Sequence, residues 1–192
     1  PGALAPLMQI FSSSQFLSEI LICDPESYDL LRLTEGQPVA RQTLIDELTS
    51  EIAALNHENE IMAALRRFKR REILRIAYGD FVCGHSLPTV TRQISYLADA
   101  LLEAAYQAAR QKLRNKMGEP RTMSGSPARF VILAMGKLGG VELNYSSDID
   151  VIFLYEEEGT TDGPRSVSNA EYFQRLVQEI VRLLTFRTEL GA

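Results

Sequence analysis

Residues 130–153 read FVILAMGKLGGVELNYSSDIDVIF, and this stretch decides how the second half of the chain folds. The run at 129–135 is short, almost entirely apolar and bounded by Pro127 and Gly136, which predicts a buried β-strand. Residues 149–155 predict a second strand on the same grounds. A glycine-rich turn joins the two, so we expect a βαβ-type unit in this region.

The turn between these predicted strands has the composition of a phosphate-binding loop. Gly136, Gly139 and Gly140 would let backbone N–H groups approach an anion closely, and Lys137 adds a positive charge. Ser147 either caps the turn or contacts a triphosphate. The same glycines also occur in ordinary tight turns, and an exposed lysine needs no ligand. We predict these five residues as the phosphate-binding set.

Two aspartates follow the turn. Asp148 and Asp150 are two positions apart, so on a strand both carboxylates point to one face. Like charges side by side among apolar residues are costly, and a divalent cation removes that cost. Mg²⁺ held by carboxylates and phosphate oxygens is the arrangement that nucleotidyl transfer needs. We predict Asp148 and Asp150 as the catalytic, Mg²⁺-binding pair; the alternative is two solvated carboxylates at the start of a strand.

The first two thirds of the chain predict a helical platform. Apolar residues recur with the helical period in several segments, the longest at about 89–116, and segments 82–88 and 120–127 predict loops. A last helix starts at Ser168, where Glu171 completes a capping box. The expected class is α+β, with a helical region at 1–120 followed by an incomplete βαβ-type unit at 128–192. The alternative is that both regions form a single structural unit.

A basic run reads RRFKRREILR at residues 66–75. It is a solvated helix face with ion pairs to residues such as Glu72, a docking surface for a partner or a nucleic acid, or a set of arginines that pair with acids of the region 128–192. The sequence leaves these three interpretations open.

Composition and charge exclude several classes of protein. The chain has 192 residues and a net charge of −5, which argues against a protein that coats nucleic acid. Cys23 and Cys83 are far apart, so neither a disulfide scaffold nor a zinc site is expected. No apolar run has the length of a membrane span, and no signal peptide is evident. We expect a cytoplasmic protein without nucleic-acid or membrane partners.

The stretch GKLGGVELNYSSDIDVIF resembles the polymerase-β-like nucleotidyltransferase superfamily, in which a glycine turn precedes two aspartates on the next strand. Lys137 departs from the Gly-Ser or Gly-Gly of the general pattern. A lysine at this position does match one branch of the superfamily. The whole stretch is similar to the glutamine synthetase adenylyltransferase/adenylyl-removing enzymes. The similarity extends to residues 65–77 and 94–100, and more loosely to 14–17.

That resemblance implies a nucleotidyltransferase that regulates glutamine synthetase in nitrogen metabolism. The family has two such domains: one attaches AMP from ATP to a tyrosine, and the other removes it by phosphorolysis, giving ADP. This chain has room for one, and residues 142–144 and 147–150 look more like the AMP-removing, N-terminal half. The implied cofactor is Mg²⁺. The implied partners are glutamine synthetase, ATP or ADP, and phosphate, and a PII signalling protein stays open.

One family feature is missing. The resemblance implies a third carboxylate in a V-D-x-R-L-R-P stretch after the last helix, and no such stretch occurs in this sequence. We therefore expect a truncated, inactive fragment of an active enzyme. Two alternatives remain. The first is a protein uridylyltransferase, although that branch has G-G-Y-G-R-G-E-L where this chain has GKLGGVEL. The second is a non-catalytic helical interaction module built on the basic run.

Overall fold

A computed structural model describes residues 4–13, 15–23, 31 and 34–185. Its helices are α1 (Leu4–Ser13), α2 (Gln15–Cys23), α3 (Arg41–Ala53), α4 (Glu58–Phe81), α5 (Leu87–Met117), α6 (Gly136–Gly139) and α7 (Asn169–Thr185). Its strands are β1 (Pro120–Thr122), β2 (Phe130–Met135), β3 (Asp150–Tyr155) and β4 (Gly159–Thr161). The short helix that the sequence predicts around Tyr28, after a stop at Asp24, lies outside the described residues.

Helices α3, α4 and α5 form the helical platform, and α7 packs against α5. Buried residues on α3 follow the helical period, as Leu44, Leu48 and Ile52 illustrate. Helix α5 buries a set of alanines, which lets its neighbours approach closely: Ala98, Ala100, Ala104, Ala105 and Ala109. No helix in the part of the chain that the structure describes is both long and apolar enough to cross a membrane.

Helix α5 begins two residues earlier than its sequence predicts. Ser86 takes the extended N-cap conformation, and Pro88 lies in the first turn, where its missing N–H costs no hydrogen bond. The prediction of a loop at 82–88 is therefore wrong for residues 87 and 88. The helix stops at Gly118, which has a φ of 80°, close to the predicted end.

The strands β2 and β3 are antiparallel, with Phe130 opposite Tyr155 and Met135 opposite Asp150. The expected βαβ-type arrangement, which needs parallel strands, is therefore wrong, whereas the α+β class is confirmed. The physical reason is the connection. A parallel crossover needs a full helix, and α6 is a single turn of 4 residues that reverses the chain instead.

A second antiparallel ribbon joins β1 to β4, with Arg121 opposite Thr160. The prediction of a plain linker at 120–127 is wrong for residues 120–122. These strands have 3 residues each, too short for an alternating pattern to be visible in the sequence. The ribbon is held by Asn169 at the start of α7, whose amide donates to the carbonyls of Arg121 and Glu157 at 2.9 and 3.0 Å.

Aromatic rings attach the sheet of β2 and β3 to α7. The Phe130 ring stacks on Phe173 with centroids 5.2 Å apart, and Tyr155 stacks on the same Phe173 at 5.0 Å. Half of the predicted capping box forms, because the Glu171 N–H donates to Ser168 Oγ at 3.2 Å. The Glu171 carboxylate pairs with Arg175 in the next turn instead of returning to the cap.

One hydrophobic core contains residues of the platform, of α7 and of the segment between β2 and β3. Leu138 and Leu143 are the two members from that segment. The predicted division of the chain near residue 120 stays a prediction.

Candidate functional site

The segment between β2 and β3, residues 136–149, is called the glycine–aspartate loop below. It is exposed along most of its length, but Leu138 and Leu143 are buried in the core. These two leucines fix the loop on the platform at two points. The polar residues between and after them remain accessible to a ligand.

The first glycine of the loop, Gly136, lies beside Asp150, the residue that directly follows the loop. Gly136 has a φ of 53°, a backbone conformation that side chains rarely adopt. A Cβ atom built on Gly136 would lie 3.2 Å from Asp150 Oδ2, so this carboxylate stands directly beside the glycine backbone. Asp150 is exposed, as the first residue of β3. The backbone angle therefore favours glycine here, and any side chain would crowd the Asp150 carboxylate.

Asp148 does not lie on the strand. β3 begins at Asp150, so the prediction that Asp148 lies on this strand is wrong, and the shared face of the two carboxylates stays a prediction. The reason is that residues 144–147 form a hydrogen-bonded turn, which delays the strand. Asp148 is nevertheless exposed and two residues from Asp150, so both carboxylates stay available to a cation.

Gly139 and Gly140 differ in what their missing side chains allow. A Cβ on Gly139 would lie 2.6 Å from the carbonyl oxygen of Ala134, so the α6 turn could not pack on β2 with any other residue there. A Cβ on Gly140 would meet its nearest neighbour, the Gly136 oxygen, at 3.6 Å, an ordinary contact. Packing explains Gly139 but leaves Gly140 without a structural requirement.

Ser147 and Lys137 are the two predicted phosphate-binding residues with polar side chains. Ser147 Oγ donates to Asn144 Oδ1 at 2.5 Å and accepts from the Asn144 N–H at 3.2 Å. Its hydroxyl thus closes the turn before Asp148, which is the capping role that the sequence left open beside phosphate contact. The Lys137 side chain is exposed, while its carbonyl accepts the Glu142 N–H at 2.8 Å.

Val141 carries backbone strain. Its φ of 59° lies in the left-handed region, which a β-branched side chain adopts only at a cost of about 1–2 kcal/mol. We expect Val141→Gly to raise the free energy of unfolding by about 0.5–1 kcal/mol, because relief of strain exceeds the added chain entropy of glycine. Thermal unfolding of the two proteins measures the difference.

The matched control for this prediction is Val131→Gly. Val131 is also exposed but lies within β2, where glycine weakens the strand. If Val141→Gly destabilises the protein as much as Val131→Gly does, the strained valine is not a source of instability.

Two contacts that sequence reasoning missed join the loop to the helices. The Leu143 N–H donates to Ser95 Oγ, on α5, at 3.0 Å. Tyr145 Oη donates to Asp80 Oδ2, near the end of α4, at 3.2 Å, and its ring stacks on Phe81. Desolvation, followed by the charge and hydrogen bond of Asp80, raises the pKa of Tyr145, so its hydroxyl stays protonated as the donor. A serine on the apolar face of α5 was the available signal for the first contact.

Four arginines of the basic run make hydrogen bonds or ion pairs with the platform or with α7. Arg66 donates to the carbonyl of Leu184 at 2.8 Å, at the end of α7. Arg71 bridges Glu47 and Glu72, at 2.7 and 3.0 Å. Arg67 pairs with Glu51 at 3.1 Å, and Arg75 pairs with Glu72 at 2.7 Å. These partners are carboxylates of the platform and carbonyls of α7, and a docking surface on this helix stays a prediction.

Metal-binding capacity rests on the two aspartates. Across residues 4–13, 15–23, 31 and 34–185, no group of three or more His, Cys, Asp or Glu side chains converges as a metal site. Two exposed carboxylates beside a glycine backbone suit a hard cation that takes its remaining ligands from phosphate oxygens and water. They do not suit a closed structural metal site, which would need four protein ligands.

The sequence matches the family model described as glutamate-ammonia ligase adenylyltransferase over residues 4–192. Three curated relatives share the printed name bifunctional glutamine synthetase adenylyltransferase/adenylyl-removing enzyme. The relative from Shewanella loihica is 39% identical over 187 residues, covering 96% of this chain and 19% of its own length. The relative from Nitrosococcus oceani is 42% identical over 149 residues, covering 77% and 15%. The relative from Thioalkalivibrio sulfidiphilus is 35% identical over 189 residues, covering 96% and 19%.

The chain spans about a fifth or less of the length of these relatives. The matched residues include the glycine–aspartate loop and the helices that hold it. The chain therefore belongs to the glutamate-ammonia ligase adenylyltransferase family.

Proposed function

We propose that this chain carries the nucleotide-binding loop and the metal-binding aspartates of an enzyme that regulates glutamine synthetase by moving AMP to or from a tyrosine. The observation that carries the proposal is the closeness of Asp150 to the glycine turn, since a Cβ built on Gly136 would lie 3.2 Å from Asp150 Oδ2. A turn suited to phosphate and a carboxylate suited to a cation would then act side by side. Family membership and the names of the relatives support glutamine synthetase as the target.

In this proposal Asp148 and Asp150 hold Mg²⁺, together with phosphate oxygens of the nucleotide. When bound, Mg²⁺ neutralises charge on the phosphates during an in-line displacement. The backbone N–H groups of residues 136–138 bind and orient the phosphates, and Lys137 supplies a counter-charge. The Gly140 N–H donates to the Gly136 carbonyl at 3.1 Å, so Gly140 shapes the turn instead.

For direction we propose removal of AMP by phosphorolysis, the half of the family that residues 142–144 and 147–150 resemble. Phosphate would then be the attacking group, and ADP would leave together with the free tyrosine. The reverse assignment, attachment of AMP from ATP, releases pyrophosphate. The two directions are therefore separated by their small-molecule products.

Metal and nucleotide binding can be measured on the chain itself. We expect the Mn²⁺ complex of ATP to bind, and the readout is the change in water proton relaxation that the protein adds to a mixture of Mn²⁺ and ATP. Asp148→Asn/Asp150→Asn should weaken this binding at least tenfold, because both anionic ligands are lost. Glu157→Gln/Glu158→Gln is the matched control: it makes the same change in charge beyond the other end of β3, and both side chains are exposed. Equal Mn²⁺ affinity in the aspartate variant and wild type would refute the site assignment.

The direction is tested in a chimaera in which this chain replaces the matched region of the Shewanella loihica relative. With adenylylated glutamine synthetase and inorganic phosphate, we expect ADP release that Asp148→Asn abolishes. If Asp148→Asn instead abolishes pyrophosphate release from ATP and leaves ADP release intact, the chain belongs to the AMP-attaching half. Incorporation of UMP into a PII protein would favour the uridylyltransferase alternative.

A further inference from the structure

Ser95 is a buried hydroxyl in an otherwise apolar part of α5. Only 1% of the residue is exposed, and its neighbours Ile94, Leu97 and Ala98 belong to the core. Ser95 Oγ donates to the Thr91 carbonyl of its own helix at 2.9 Å and accepts the Leu143 N–H at 3.0 Å. Without this hydroxyl, the buried Leu143 N–H would have lost its hydrogen-bond acceptor, which is costly.

Asp80 makes the second connection to the loop. Its carboxylate accepts the hydrogen bond of Tyr145 Oη at 3.2 Å, while the Phe81 and Tyr145 rings lie nearly parallel with centroids 6.4 Å apart. The end of α4 thus holds a residue that is only three positions before Asp148. Both connections reach residues 143–145 from different helices.

Hydrogen bonds within the loop connect residues 143–145 to the aspartates. Asn144 lies between the two held residues, and it is bonded to Ser147 by its side-chain oxygen, its N–H and its carbonyl. Ser147 directly precedes Asp148. A continuous path of hydrogen bonds and peptide bonds therefore runs from Ser95 and Asp80 to the first aspartate of the proposed metal site.

We propose that Ser95 and Asp80 are positioning residues that hold Asp148 where it can share a cation with Asp150. The proposal rests on the proposed function, since it assigns these residues a role in metal binding. Neither residue touches the cation or the nucleotide. Each acts through the loop: Ser95 through the Leu143 backbone, and Asp80 through the Tyr145 hydroxyl.

The test compares variants that remove each connection with controls that make the same chemical change elsewhere. Ser95→Ala is paired with Thr49→Ala, because both hydrogen bonds of the Thr49 hydroxyl run to carbonyls of its own helix. Tyr145→Phe is paired with Tyr155→Phe, which also removes a hydrogen bond from a tyrosine to an exposed carboxylate, that of Glu158. Asp80→Asn is the conservative variant, since its amide oxygen still accepts the Tyr145 hydrogen bond.

Three quantities are measured for each variant: the urea midpoint of unfolding, the hydrogen exchange of residues 136–149, and the affinity for Mn²⁺ in the presence of ATP. We expect Ser95→Ala and Tyr145→Phe to speed exchange in the loop. Each should also weaken Mn²⁺ binding about fivefold, the ratio that one ordinary hydrogen bond supports. Both control variants and Asp80→Asn should keep the wild-type Mn²⁺ affinity.

Wild-type Mn²⁺ affinity in both Ser95→Ala and Tyr145→Phe, despite faster exchange in the loop, would overturn the positioning role and leave the proposed function standing. Failure of the wild-type chain to bind Mn²⁺ with ATP would instead overturn the proposed function, and the positioning role with it. Tyr145→Phe keeps the ring and its stacking, so it remains informative even if Ser95→Ala lowers the urea midpoint.

Discussion

Replacing Glu72 by leucine is expected to lower the free energy of unfolding by about 3–5 kcal/mol, the cost of removing one partner of a buried ion pair. Glu72 and Arg75 are 4% and 5% exposed, and Arg75 Nε donates to Glu72 Oε2 at 2.7 Å. Without the carboxylate, the Arg75 guanidinium would stay buried with its charge uncompensated. Urea unfolding followed by circular dichroism measures the loss.

The same guanidinium holds the segment before α3. Arg75 donates to the Gln37 carbonyl at 2.6 Å and to Gln93 Oε1 at 2.9 Å. The Gln93 amide in turn pairs with the backbone N–H and carbonyl of Val39, at 2.8 and 2.9 Å. Loss of Glu72 should therefore also speed hydrogen exchange at Val39.

Glu51→Gln is the control for this prediction. Its partner Arg67 is largely exposed, and exposed pairs of this kind contribute about 0–1 kcal/mol. The double replacement Glu72→Met/Arg75→Met should recover part of the stability, because no charge remains buried. If Glu72→Leu costs no more than Glu51→Gln, the buried pair does not stabilise the platform.

Gly36→Ala is expected to cost about 2–4 kcal/mol of unfolding free energy, from strain and overpacking together. Gly36 has a φ of 63°, and a Cβ there would lie 2.6 Å from the backbone nitrogen of Gly79 on α4. A Cβ on Gly79 would in turn lie 2.8 Å from the Gly36 oxygen. The turn and the helix thus touch backbone to backbone, and neither side can move as a flexible side chain would.

Gly84→Ala separates the two causes. Gly84 has a similar φ of 69°, but nothing lies within 4 Å of its Cβ position. Its replacement should therefore cost only the strain of the left-handed conformation, about 1–2 kcal/mol. Thermal unfolding of both variants gives the comparison. Equal losses at Gly36 and Gly84 would contradict the close contact between Gly36 and Gly79.

Much of the candidate site could be predicted from local sequence, but its attachment to the helices could not. The glycines, Lys137 and the two aspartates lie within one short stretch, so their spacing alone suggested phosphate and metal chemistry. Ser95 and Asp80 lie 48 and 65 residues from their partners in the loop. Contacts at such separations leave no periodic or motif-like trace in a single sequence.

The sequence by itself determined the helical periodicity of the platform, the two apolar strands, the glycine–aspartate loop and the family, because each depends on residues close together in the chain. Only the tertiary structure decided that β2 and β3 are antiparallel, that Asp148 precedes the strand, and which partners Arg66, Arg67, Arg71 and Arg75 contact. The physical reason is the range of the interactions. Side-chain period and turn chemistry act over a few residues, whereas strand pairing and the partners of buried charges depend on which distant segments pack together.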